Sequence, residues 1–131
     1  MSRTSELAGA VEVVAVELAW VLDCADPPTL ASFWAGALGY TAGPYRQPYL
    51  ELSDPRGHGP ELLLQRVPEP KRGKNRMHVD LRVQDQDTKV ERLVELGGRL
   101  LRPPFDDTGW WTAHVADPEG NELCVIVPPR P

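Results

Sequence analysis

The stretch Met77-His78-Val79-Asp80-Leu81-Arg82-Val83 alternates without a break. Met77, Val79, Leu81 and Val83 fall to one side, and His78, Asp80 and Arg82 to the other, which is the period of a half-buried strand. The apolar side is an ordinary core face. The other sets an imidazole, a carboxylate and a guanidinium in a row, a load that a strand carries where it faces water or lines a pocket. This strand opens the second half of the chain, and that half repeats the first.

Downstream of it, Asp85 reads as a helix N-cap, and Val90, Leu93, Val94 and Gly97 follow at i, i+3, i+4, i+7, one helical stripe. Gly97-Gly98 closes that helix. A loop with Pro103-Pro104 and Asp106-Asp107 comes next, then a strand over residues 110–115, a turn at Asp117-Pro118-Glu119-Gly120, and a last strand over 122–127. Upstream lies a linker, residues 68–76, with prolines, a glycine and four cations but no period. Before the linker the same order appears. A strand over 14–23 leads to Asp26-Pro27, an N-cap with proline in the first turn. Leu30, Phe33, Trp34 and Ala37 make the helical stripe and Gly39 ends it. Strands over 49–53 and 61–67 flank a turn at 54–60.

The halves superpose in detail. Leu22-Asp23-Cys24-Ala25-Asp26 lies over Leu81-Arg82-Val83-Gln84-Asp85, and Asp54-Pro55-Arg56-Gly57 over Asp117-Pro118-Glu119-Gly120. Leu64-Gln65 is set over Leu123-Cys124. Each half is strand–helix–strand–strand, with room for a further strand at 40–43 and at 100–104. The expectation is an α+β domain of two βαβββ modules over residues 13–128, one about 13–67 and one about 77–128, after a leader of residues 1–12. One such module cannot bury both faces of its sheet, so two must pack.

Bulk properties narrow the classes. A chain of 131 residues with 41% hydrophobic and 25% charged residues has the make-up of a soluble globular domain. A net charge of −5 argues against a dedicated nucleic-acid binder. No apolar run approaches the roughly 20 residues that span a bilayer. Glu6, Glu12 and Glu17 interrupt the N-terminal stretch, which reads as neither signal peptide nor anchor. Cys24 and Cys124 are then expected as free thiols in a reducing cytoplasm.

The runs LDCADPPTLASFWAGALGY, LLLQRVPEPKRGKNRMHVDLRV and ADPEGNELCVI resemble the glyoxalase-like branch of the vicinal oxygen chelate superfamily, over about residues 14–128. The resemblance implies paired βαβββ modules whose curved mixed sheets surround a concave cleft, often in a homodimer. It does not imply one activity. In metal-dependent members each module supplies a ligand from its first and its last strand, and the repeat sets those places at Ala19, Gln65, His78 and Cys124. His78 is a common ligand, Gln65 offers an amide oxygen, Cys124 suits a soft or borderline ion, and Ala19 offers nothing. Glu17 and Asp80 share faces with these places and are possible substitutes.

Two functional readings follow from that depleted set. In the first, the cleft binds a small, partly aromatic molecule without a metal. Gln65, His78, Asp80, His114 and Cys124 supply polar contacts, and Trp110 or Trp111 an aromatic wall. In the second, a divalent ion (Zn, Ni, Mn or Fe) on His78 and Gln65 supports a lyase, epimerase or dioxygenase reaction. Metal-free acid–base chemistry by His78, oriented by Asp80, is a third, since an imidazole exchanges protons near working pH. Trp110 and Trp111, adjacent in a strand, must point to opposite sides.

Overall fold

The computed structural model describes residues 15–129; the expected leader and residue 14 lie outside them. The elements are β1 (Ala19–Cys24), α1 (Pro27–Leu38), β2 (Thr41–Arg46), β3 (Tyr49–Ser53) and β4 (Glu61–Arg66), then β5 (Val79–Arg82), α2 (Gln86–Glu95), β6 (Arg99–Asp107), β7 (Trp110–Ala116) and β8 (Glu122–Val127). The βαβββ order occurs twice. Each set builds its own four-stranded sheet, ordered β1-β4-β3-β2 and β5-β8-β7-β6. In both sheets the first strand runs parallel to the last, and the other pairings are antiparallel. The helix is the crossover that a parallel pair requires. The fold is α+β, as the repeat predicts.

Both helices start on an aspartate. Asp26 accepts from the Thr29 N–H and hydroxyl, and Asp85 does the same for Thr88. These bonds satisfy N–H groups that have no partner inside the helix. Pro27 fills the first turn of α1, and Gly39 ends it with φ 72°, a left-handed conformation that costs a glycine nothing. The stripe Leu30, Phe33, Trp34 and Ala37 is buried against Leu50, Leu52, Leu62 and Leu64 of the first sheet. In α2 only Leu93 of the expected stripe is fully buried. Val90 packs against the core, whereas Val94 is exposed.

One core serves both modules: Leu93, Val115, Leu123 and Val125 belong to the same buried cluster as Phe33 and Leu64. Gly98 marks the closest approach. A Cβ there would stand 2.8 Å from the Phe33 ring and 2.9 Å from the Ala116 carbonyl oxygen. Polar bonds tie the modules as well. Asp117, 2% exposed, accepts from the Glu119 and Asn121 N–H groups through one oxygen, and from the Asn121 amide and the Trp34 indole through the other. Glu119 accepts from the N–H groups of Ala25 and Asp26, and Lys89 donates to the Ala37 carbonyl at the end of α1. The repeated DP-x-G turn is thus both a turn and a clamp.

Three expectations need correction. Alternation carried the first strand back to residue 14 and the fifth to Met77, but the ladders begin at Ala19 opposite Glu61 and at Val79 opposite Leu123. Residues before those points have no strand partner, and Met77 is 78% exposed. Residues 103–107, expected as a loop, continue β6 to Asp107. Pro103 and Pro104 cannot donate to a ladder, and the register shifts between Arg102 and Phe105 so that this edge strand accommodates them. The third concerns Gln65 and is taken up below. Among the described residues no helix is long and apolar enough to cross a membrane.

Candidate functional site

One face of each sheet packs on the helices, and strand parity decides what the other carries. In the second sheet the ladders align Asp80 with Cys124, Cys124 with His114, and His114 with Arg102, one row across four strands. The next row runs Arg82, Ile126, Thr112, Phe105. The alternation first seen in residues 77–83 therefore puts His78, Asp80 and Arg82 along one edge of this open face. The face borders a cavity of about 340 Å³, walled by those three side chains from the β5 edge, Cys124 and Ile126 from β8, and Trp110, Thr112 and His114 from β7. Its floor is dry, since Thr112, Cys124 and Ile126 are buried.

His78 Nδ1 lies 3.5 Å from Asp80 Oδ1 and 4.0 Å from Cys124 Sγ. Burial, and then the negative charge of Asp80, push the Cys124 thiol up to about 11, so at neutral pH it is a thiol hydrogen-bonded to that carboxylate. Arg82 stacks over Trp110 at 5.1 Å, and the Phe105 and His114 rings meet edge to face at 5.3 Å.

Of the residues expected at the site, the structure brings His78, Asp80, Trp110, His114 and Cys124 together and leaves Gln65 and Trp111 apart. Trp111 points to the other side of β7 and is 46% exposed. Gln65 lies on the first sheet, and no residue of the first module lines this cavity. Its match to Cys124 is also off by one pleat. Leu22 corresponds to Leu81, so Val21 corresponds to Asp80; Val21 pairs with Leu63 as Asp80 pairs with Cys124. Leu63 holds the equivalent place, and Gln65 pairs with Asp23 instead. Sequence reasoning missed Arg102 and Phe105 because the two prolines masked their strand. It noticed Arg82 without assigning it to the site.

The donor set can be weighed against a metal. The places implied by the resemblance hold alanine, leucine, histidine and cysteine, and the first two offer no donor, so that four-donor set is not met. A different trio is present: one ligand atom each from His78, Asp80 and Cys124 lies within 4.8 Å of the others. Binding there requires an ion to displace the thiol proton.

The open face of the first sheet differs. Val21 and Tyr49 are exposed on it, and Glu51, hydrogen-bonded to Glu61, holds the Glu61 carboxyl above its usual range, with Glu17 adding to the effect. A second cavity, of about 330 Å³, lies at the seam of the modules between Trp20, Leu38, Leu62 and Met77 and is mainly apolar.

Comparison with known proteins places this geometry. The family model described as a glyoxalase-like domain matches residues 19–126. No curated protein matches the chain in sequence. Among solved structures, a glyoxalase/bleomycin resistance protein/dioxygenase family enzyme from Burkholderia phytofirmans is 15% identical with a TM-score of 0.72, over 86% of this chain and 98% of its own. A glyoxalase/bleomycin resistance protein/dioxygenase from Nocardioides is 18% identical with a TM-score of 0.70, over 95% and 90%. A superfamily member from Sphaerobacter thermophilus is 18% identical with a TM-score of 0.67, over 87% and 98%. At such identities the likeness is one of fold.

Proposed function

The chain belongs to the glyoxalase-like domain family, and on that premise we propose that the open face of its second sheet is one wall of a cleft for a small, partly aromatic molecule, held without a metal. The observation that carries this reading is the convergence of His78, Asp80, Arg82, Trp110 and His114 on one cavity of about 340 Å³. A dry floor, an aromatic wall and a few polar groups are how small ligands are bound and oriented. Trp110 supplies apolar area, and His78, oriented by Asp80, supplies a group that donates, accepts or exchanges a proton.

The cavity is open on the side that no first-module residue covers. A second copy of the chain, presenting its first sheet with exposed Val21 and Tyr49 and the carboxylates of Glu51 and Glu61, closes it in this reading, and the protein is a homodimer. Sedimentation of the full chain at micromolar concentration checks this point; a monomer at all concentrations contradicts it.

A second reading rests on one observation, the His78, Asp80 and Cys124 trio. If it holds a divalent ion, the protein is a metal-dependent enzyme of the lyase, epimerase or dioxygenase kind. Plasma mass spectrometry after loading with Zn, Ni, Mn or Fe(II) and desalting separates the two. Near one equivalent retained by the wild type and lost in His78→Ala supports the enzyme. No retention, together with quenching of tryptophan fluorescence by aromatic fragments in chelator-treated protein, supports the metal-free cleft.

A further inference from the structure

Two guanidinium groups stand on the open face of the second sheet, and among the described residues neither forms an ion pair. Each is held by an aromatic ring instead. The Arg102 guanidinium carbon lies 3.4 Å from the centre of the Phe105 ring, which in turn meets the His114 ring edge to face. That of Arg82 lies 5.1 Å from the Trp110 ring. The two approach from opposite edges of the sheet, β5 and β6, in adjacent rows. Between them lies the buried floor of Cys124, Ile126 and Thr112.

A guanidinium stacked on a ring is oriented through its π face, and its in-plane N–H donors stay unspent. Those donors match the two oxygens of a carboxylate or phosphate in a bidentate fork. The acidic groups on this face are otherwise engaged or set apart. Asp80 faces His78 and Cys124, and Asp107 sits opposite Trp110 at the cavity edge, out of ion-pair range of Arg82. We infer that the ligand of this cleft is an aromatic acid, with its ring over the Thr112–Ile126 floor beside Trp110 and its anionic group held by Arg82 and Arg102. This inference rests on the cleft reading above and adds the charge of the ligand to it.

The test compares 2-naphthoate with 2-naphthamide, a near-isostere without the charge, by calorimetry on the full chain. The acid is expected to bind about tenfold tighter than the amide. That preference should fall below about twofold in the Arg82→Gln/Arg102→Gln double variant and weaken as salt rises. Both arginines are exposed, so the double variant should fold; circular dichroism checks it, and the single variants, each with part of the loss, serve if it does not. Equal binding of acid and amide by the wild type overturns the aromatic-acid inference while leaving the cleft reading intact. A preference that survives in the double variant overturns it too. Binding of neither compound at millimolar concentration sinks both.

Discussion

The Trp34 indole donates to Asp117 Oδ2 across 2.9 Å, joining a helix of the first module to a turn of the second. Both residues are buried, and the same carboxylate gathers three further N–H donors. Trp34→Phe keeps most of the apolar contact but removes the donor, and should cost about 1–3 kcal/mol. Asp117→Ala strands four donors and should cost more. Urea unfolding of both variants and of the double variant measures this. Strict additivity would show that the bond does not couple the modules.

Gly98 makes a second point at the same junction. A methyl group there meets the Phe33 ring and two backbone carbonyl oxygens at under 3 Å. Gly98→Ala should therefore destabilise the protein by about 1–3 kcal/mol, whereas alanine in an unstrained helix would be favourable. Thermal unfolding decides, and a raised Tm contradicts the packing described.

The buried thiols predict a pH dependence. Burial pushes Cys24 up to about 12 and Cys124 up to about 11, in both cases with help from nearby carboxylates. In the unfolded chain a thiol ionises near 8.5. Folding opposes ionisation, so the stability linked to these groups is complete below about pH 8.5 and is lost as pH rises towards 11 and 12. Alkylation by iodoacetamide should be slow in the native protein at pH 9, fast in urea, and should climb in the native protein until about pH 11. A native rate that levels off by pH 9 contradicts this.

Trp110 and Trp111 allow a test within one dipeptide. Only Trp110 faces the cavity. Trp110→Ala should weaken binding of an aromatic fragment about tenfold, worth about 1.4 kcal/mol, and Trp111→Ala should leave it within twofold. Fluorescence titration of both variants distinguishes them. The reverse order would move the cleft to the other side of the sheet.

Much of the fold was legible because its signals are local. Asp26, Asp85, Gly39 and the stripe from Leu30 to Ala37 each act within one turn of helix, and the duplicated DP-x-G turn revealed the second module. Strand ends were less legible, because alternation persists beyond the last residue that has a partner, as at Val16, Leu18 and Met77. The bulge that carries Pro103 and Pro104 within β6 reads as a loop in sequence, which hid Arg102 and Phe105. Pairing of Leu63 with Val21 is a property of the ladder, and the longer turn of the first module shifted the sequence match to Gln65. His78, Asp80, Trp110, His114 and Cys124 were legible as candidates. That Trp110 rather than Trp111 joins them depends on strand register.

The most direct test is amide chemical-shift mapping of the chelator-treated protein against a set of small aromatic fragments. The account predicts concentration-dependent shifts clustered at His78, Asp80, Arg82, Trp110, Thr112 and His114, with no metal added. Shifts confined to the seam around Trp20, Leu38 and Met77, or appearing at the His78 face only after a divalent ion is supplied, would contradict it.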